Sequence, residues 1–270
     1  YFYIMSPKII FIVPYRDRKE HKQFFMKYME FVMEDYKKDD YEIFFAQQCD
    51  SRPFNRGAMK NIGFIAIKNK YPNEYKNITF VFNDVDTLPY TKNLLNYETR
   101  TNIIKHFYGY TMALGGIFSI KGSDFEKING FPNMWGWSME DNMIQERAIN
   151  NGIIIDRSNF YPIGSRSILQ FVDGIKKNIA KKEIAGFLNK NYNHGLNSIR
   201  NLKLNCVNEF ININHFNSET DFSSQIYQEH DTTKPGSQKI RLTHKERYGD
   251  PAQSNNNALS MFNFAVSKRR

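Results

Sequence analysis

The sequence predicts an α/β fold in which a largely parallel sheet is covered by helices, and three observations carry that reading. Short apolar, β-branched runs recur at Lys8 to Tyr15 (KIIFIVPY), Tyr41 to Gln47 and Ile78 to Phe82 (ITFVF), and they read as buried strands. The two stretches between them carry apolar residues at helical spacing. Strand, helix, strand, helix, strand is the order of a parallel sheet with helices on its faces. The third run leads straight into Asn83-Asp84-Val85-Asp86, an acidic turn at the strand end where open α/β sheets bind ligands.

The elements follow in order. After the first strand, Lys19 to Tyr36 places Phe24, Phe25, Tyr28, Met29, Phe31 and Val32 on a helical stripe. Arg56 to Tyr71 is a second helix, stopped by Pro72. Residues 106–121 read as one or two strands around Gly115-Gly116. Ser123-Asp124-Phe125-Glu126 is a capping box that opens a short helix ending near Gly130. Trp135 to Met139 is a loop. Glu140 to Asn151 is a helix closed by Gly152, followed by the strand Ile153 to Asp156. From 157 to 195 the signals weaken, and Lys176, Lys177, Lys181 and Lys182 mark a basic, solvated and mobile segment. Val207 to Asn214 alternates like a strand. Residues 1–225 read as one domain. Residues 226–270 form a polar, basic extension with eight Lys/Arg against four Asp/Glu.

Composition sets the outer limits. The chain has 270 residues, 41% of them hydrophobic and 24% charged, which is ordinary for a globular domain. A net charge of +9 permits anionic partners without choosing among them. The 23 Phe and 16 Tyr fall mostly in apolar periodic runs, so they read as core and not as a stacking platform for nucleic acid. Cys49 and Cys206 are far apart and in no metal-ligand spacing, which argues for two free thiols over a disulfide framework or a zinc site. No apolar run approaches the ~20 residues that span a bilayer, so no membrane segment, signal or anchor is expected in this sequence.

Two constellations carry chemistry. In Asp84-Val85-Asp86 alternate side chains point the same way, so both carboxylates can face one hard divalent cation or one polar ligand. Alone, the pair is a weak signal and reads first as a solvated turn. The second constellation is Trp135-Gly136-Trp137-Ser138-Met139-Glu140-Asp141, which holds both tryptophans of the chain and two carboxylates at a helix start. Tryptophan faces stack on sugar rings, and a carboxylate there can serve as general base on a hydroxyl. Two core tryptophans before conventional acidic caps fit the same pattern. Arg16, Arg18 and Arg56, after the first strand and at the opening of the second helix, suit phosphate or a nucleobase edge. Any one of these arginines taken singly reads first as surface charge.

Taken in order, these residues resemble the β-1,4-galactosyltransferase family, glycosyltransferase family 7. Pro14-Tyr15-Arg16-Asp17-Arg18, Phe54-Asn55-Arg56, Phe82-Asn83-Asp84-Val85-Asp86, Gly115-Gly116, Asn129-Gly130-Phe131-Pro132-Asn133 with Trp135-Gly136-Trp137 and Glu140-Asp141, and Gly195-Leu196-Asn197-Ser198 all match its motifs. The resemblance covers roughly residues 8–215. It implies a GT-A type, Rossmann-like mixed sheet flanked by helices. It implies an inverting transfer of galactose or N-acetylgalactosamine from a UDP-sugar donor to a hydroxyl of a glycan or glycoconjugate acceptor. In the implied site Pro14, Tyr15, Arg16, Arg18, Phe54, Arg56, Asp84, Val85, Asp86 and Ala113 bind the donor. Trp137, Gly116 and Glu140 bind the acceptor, Asp141 is the catalytic base with Glu140 beside it, and Asp86 is a ligand of Mn²⁺. Three departures stand out. Ile168 and Phe171 occupy the places of the family's further Met and His metal ligands, leaving His194 and His215 as candidates. Ala113 replaces a tyrosine of galactose-using members, which makes room for an N-acetyl group. The extension has no clear counterpart. A catalytically impaired relative that binds nucleotide-sugar or glycan is the alternative reading. The family's setting implies the secretory lumen.

Overall fold

The structure is a computed structural model that describes residues 6–171, 176–188, 193–231 and 242. The strand β1 (Ile9–Tyr15), helix α1 (Lys19–Val32), β2 (Tyr41–Gln48), α2 (Arg56–Lys70) and β3 (Thr79–Asn83) follow one another. β1 pairs in parallel with β2 on one side and with β3 on the other. The chain therefore leaves β1 in one direction and later returns past it in the other. That reversal opens a crevice beyond the carboxyl ends of β1 and β3, the place where open α/β sheets take their ligands.

Alternation along β1 builds two cores at once. Ile9, Phe11, Val13 and Tyr15 point to one face, where α1 contributes Phe25, Met29 and Val32. Ile10 and Ile12 point to the other, where α2 contributes Ala58, Met59 and Ile62. Every residue of β1 is buried, as sequence alternation with apolar residues on both faces requires. Fully burying each such side chain is worth about 1.5–3 kcal/mol, so this strand anchors the crevice rigidly.

The remaining elements are β4 (Thr87–Pro89), β5 (Ile103–Gly109), β6 (Ile117–Lys121), α3 (Gly122–Lys127), α4 (Glu140–Asn150), β7 (Ile154–Asp156), β8 (Tyr161–Pro162), β9 (Ile168–Gln170), β10 (Lys176–Ala180), α5 (Lys181–Leu188), β11 (Arg200–Val207), β12 (Phe210–Asn217) and β13 (Tyr227–Asp231). The main sheet runs β11-β12-β2-β1-β3-β6-β5-β7, with β8 also beside β5. β6 is antiparallel to both β3 and β5, and β11 is antiparallel to β12, so the sheet is mixed. β4 with β9 and β10 with β13 form two small antiparallel pairs. No helix among the described residues is long and apolar enough to cross a membrane.

Three local expectations are corrected. The alternating stretch at 207–214 straddles a turn: β11 ends at Val207, Asn208 adopts φ 52°, and β12 begins at Phe210. The capping box at Ser123 does not form, because α3 already starts at Gly122. Asp124 instead accepts the Asn102 N–H at 2.7 Å, and Glu126 takes Tyr75 Oη at 2.8 Å and an ion pair with Lys68. The lysine cluster falls in regular elements, with Lys176 and Lys177 on β10 and Lys181 and Lys182 opening α5. Of the extension expected at 226–270, residues 227–231 are the strand β13. The rest lies outside the described residues, apart from Leu242.

Candidate active site

A cavity of about 470 Å³ opens at the carboxyl ends of β1 and β3. Pro14 at the end of β1 lines it, followed by Arg16, Asp17 and Arg18. Asp17 takes a left-handed φ of 51°, a conformation that ends the strand and turns the chain across the crevice. The Arg16 guanidinium is pinned by carbonyls: it donates to those of Arg52 at 2.6 Å, Asp50 at 3.0 Å and Gln48 at 3.4 Å. Its charged carbon stands 5.5 Å from the centre of the Phe54 ring, and that of Arg56 stands 5.9 Å from it. Phe54 therefore presents an aromatic surface flanked by fixed positive charge, which suits a flat base carrying phosphate.

The acidic turn after β3 forms the floor. Asp84 donates its N–H to Gly116 O at 3.1 Å, and the Asn83 side-chain amide donates to the carbonyls of Asp84 and Thr87, each at 2.8 Å. These bonds hold Asp84, Val85 and Asp86 against the cavity, which all three line. Asp84 Oδ1 is buried without a hydrogen-bond partner, a group that asks for a ligand. Burial and then the neighbouring Asp84 push the Asp86 carboxyl well above the ordinary range, against the pull of Lys177, Arg56 and Arg18.

The opposite wall is the start of α4. Leu114 N–H donates to Asp141 O at 2.8 Å, and Gly115 has no side chain because a Cβ there would lie 2.7 Å from Asp141 Oδ2. Asp141 reaches the cavity with 26% of its side chain exposed, and the ammonium of Lys60, itself 2% exposed, stands 3.2 Å from Oδ1. Burial raises the Asp141 pKa to about 6, with Lys60 opposing and Glu140 and Asp84 adding to the rise. A carboxylate so tuned is a better proton acceptor than an ordinary aspartate while still ionised near neutrality. Arg56 ties the two acidic walls together. Burial disfavours its charge, yet Asp84, Glu140, Asp141 and Asp86 outweigh that and raise its pKa.

The local fold explains how α2 and α4 meet. Asn55 caps α2 by accepting from Ala58 N–H at 2.9 Å, while its amide donates to Asn133 O at 3.0 Å. Asn61, nearly two turns on, donates to Phe131 O at 2.7 Å and to Asn133 Oδ1 at 2.8 Å, and accepts from Phe131 N–H at 2.9 Å. The segment from Asn129 to Asn133 is thereby clamped to α2, and the tryptophan loop and α4 follow from it.

Ala113, Gly116 and Trp137 also line the cavity. Gly116 sits at φ +69°. Trp137 donates its N–H to Asn178 O at 2.8 Å and packs against His230 with ring centres 5.1 Å apart.

Most expected site residues converge here, and the exceptions have physical reasons. Tyr15 does not line the cavity: its ring packs edge-on against Phe45 and Phe210 in the α1-side core, because the side-chain alternation of β1 turns it there. Glu140 is 2% exposed and lies behind Arg56, whose Nη1 stands 3.3 Å from it, so it holds that arginine and does not face the cavity. Trp135 is a core residue, stacked on Phe216 at 5.5 Å and donating Nε1–H to Thr220 O. Four residues were missed. Lys60 stood i+4 from Arg56 inside an apolar helical stripe, a misplaced charge that could have flagged it. Lys177 looked like part of a solvated cluster. Tyr108 and Gln170, joined by a 2.7 Å hydrogen bond, both line the cavity from strands with no distinguishing motif.

The donor set does not complete a metal centre. Asp84 and Asp86 are hard-cation ligands, but among the described residues no group of three His, Cys, Asp or Glu side chains could hold an ion. Ile168 is buried in the α1-side core, and Phe171 packs on Phe24 at 4.8 Å. His194 accepts Asn133 N–H through Nδ1, and His215 is exposed on β12; neither lines the cavity.

A mixed Rossmann-like sheet with paired carboxylates at its switch point and an Asp-headed helix facing them defines the GT-A class of folds. Two family models match in succession: the N-terminal region of glycosyl transferase group 7 over residues 4–98, and the N-terminal domain of galactosyltransferase over residues 100–169. The chain belongs to glycosyl transferase group 7. It is 31% identical over 165 residues to mouse (Mus musculus) beta-1,4-galactosyltransferase 1, covering 57% of this chain and 40% of that protein. The chain thus spans about two fifths of the length of that relative. Its fold matches the catalytic domain of Drosophila beta1,4-galactosyltransferase 7 in complex with xylobiose, with a TM-score of 0.63 at 23% identity over 81% of this chain and 97% of that one. A mutant of the same enzyme, in complex with manganese, UDP-Gal and xylobiose, matches with a TM-score of 0.60 at 20% identity, again covering 81% and 97%.

Proposed function

We propose that the chain is an inverting hexosyltransferase that moves galactose or N-acetylgalactosamine from a UDP-sugar to a hydroxyl of an acceptor sugar. The observation that carries this reading is Asp141, partly exposed at the helix start and held by buried Lys60 across the cavity from Asp84-Val85-Asp86. The relatives are galactosyltransferases, and a mutant of the Drosophila enzyme has been seen with manganese, UDP-Gal and xylobiose. Uracil stacks on Phe54, and Arg16 and Arg18 receive the diphosphate side. Asp141 takes the proton of the acceptor hydroxyl as that oxygen bonds to the anomeric carbon from the face opposite the leaving group. The bond from that carbon to the phosphate oxygen breaks, and UDP leaves with the electron pair beside Arg56. Trp137 offers its face to the sugars. Ala113, small where it lines the cavity, leaves room for an N-acetyl group on the donor.

The family's manganese would meet Asp84 and Asp86 here, but these two carboxylates do not make up a complete ligand set among the described residues. The test is UDP release from a panel of UDP-sugars and simple sugar acceptors, with and without Mn²⁺, on the wild type and Asp141→Asn. Release with UDP-Gal or UDP-GalNAc that drops about 10²–10⁴-fold in the variant, with UDP still bound, is the expected result. Turnover by Asp141→Asn at the wild-type rate would remove Asp141 from its role. UDP binding with no release from any donor would favour a binding-only relative.

A further inference from the structure

We propose that Lys177, brought into the cavity by β10, is the cation that meets the donor diphosphate, so that UDP binds this chain without a divalent metal. The inference rests on the reading that the cavity takes a UDP-sugar.

Lys176, Lys177 and Asn178 line the cavity opposite Asp84 and Asp86. Lys177 occupies a built position. It pairs across the strand with His230 of β13, and its ammonium stands 5.2 Å from the centre of the Trp137 ring. That ring is fixed in turn by the Asn178 carbonyl, which accepts Trp137 N–H, and by packing on His230. Two strands and the tryptophan loop thus converge on one lysine at the rim of an acidic floor. The charge of Lys177 reaches that floor, since it acts on Asp86 together with Arg56 and Arg18.

Charge balance explains the need. The floor already holds two carboxylates, and a diphosphate adds more negative charge in a partly buried place, where unneutralised charge is costly. A hard divalent cation takes about six oxygen ligands or more. Asp84 and Asp86 face the cavity, Asp141 on the far wall is paired with Lys60, Asp17 lies past the end of β1, and no group of three His, Cys, Asp or Glu side chains among the described residues could hold an ion. Arg18 and Arg56 supply cations from the β1 and α2 side, and Lys177 supplies one from the other wall. An ammonium is a compact charge with three donors, suited to phosphate oxygens whose position shifts as UDP departs.

The test is calorimetric titration of UDP and of uridine into the wild type, Lys177→Met and Lys177→Arg, first in EDTA and then with Mn²⁺. The expected result is wild-type UDP binding in EDTA that Mn²⁺ barely changes. Lys177→Met should lose about 10–100-fold in UDP affinity, the worth of a hydrogen bond to a charged group, with uridine affinity kept. Lys177→Arg should retain most of the UDP affinity. Wild-type UDP binding that requires Mn²⁺, or Lys177→Met binding UDP like the wild type, overturns the inference and leaves the UDP-sugar reading standing. A parallel fall in uridine affinity would make Lys177 a structural residue and overturn it as well. Binding of neither UDP nor uridine by the wild type would overturn both readings.

Discussion

Lys60 and Asp141 show how single side chains set the chemistry. A lysine that is 2% exposed stands 3.2 Å from a carboxylate and favours its ionised form. Burial lifts the Asp141 pKa to about 6, and Lys60 limits the rise. The sign follows directly. In the role proposed for it Asp141 must be ionised to accept a proton, so transfer should fall as pH drops through about 6, higher than an unperturbed aspartate would dictate. Replacing Lys60 by Met removes the opposing charge, and the acid limb of the rate profile should move up by about 1–3 pH units. A pH–rate profile of the variant measures this, and an unmoved limb would separate Lys60 from the control of Asp141. At this scale the sequence was legible where a motif carried the residue: Arg16, Arg56, Asp84, Asp86, Asp141 and Trp137 all line the cavity. It was illegible where orientation decided. Tyr15 and Trp135 sit in motifs yet face the cores, since neighbours in a chain point to different faces and a motif does not say which face holds the ligand.

Among the elements, α2 organises the site. Arg56 and Lys60 lie one turn apart on it and reach Glu140 and Asp141, the first two residues of α4. Its register against α4 depends on Asn55, which caps α2 and donates to Asn133 O from a fully buried position. Asn55→Ala removes a cap and leaves Asn133 O without that donor. A loss of about 1–3 kcal/mol in unfolding free energy is expected from those two effects, together with slower transfer as Asp141 shifts. Chemical denaturation measures the first. A stability within about 0.5 kcal/mol of wild type, the range of a neutral surface change, would show that the cap is dispensable. Strands β1 to β3 and helices α1, α2 and α4 were readable because apolar spacing and Gly or Pro stops mark them. β12 was readable with its start placed three residues early at Val207, whereas β11 and the small pairs were not. Their residues alternate weakly, and β10 and β13 find each other across about fifty residues, a pairing that local pattern does not encode.

The whole molecule divides into a rigid frame and a wall laid over it. The frame is the main sheet with its two cores, one on each face of β1. The wall is the pair β10–β13, joined to the frame near the cavity through the Trp137 N–H to Asn178 O bond and a parallel bridge from Trp137 to Ile179. β13 belongs to the stretch whose composition reads as a polar extension, yet its pairing holds the strand that carries Lys177. Ending the chain after Gln225 should therefore separate folding from binding. The frame keeps both cores and should still unfold cooperatively, because neither core draws on residues 227–231. Ligand stabilisation should be lost. In the full chain, UDP at 100 times its dissociation constant adds about 2.7 kcal/mol, which raises Tm by about 5–10 °C for a domain of this size. In the shortened chain β10 lacks its partner, Trp137 loses the His230 ring, and the same UDP concentration should leave Tm nearly unchanged. Thermal scans of both chains with and without UDP give the comparison. An undiminished UDP shift in the shortened chain would place donor recognition wholly on the frame.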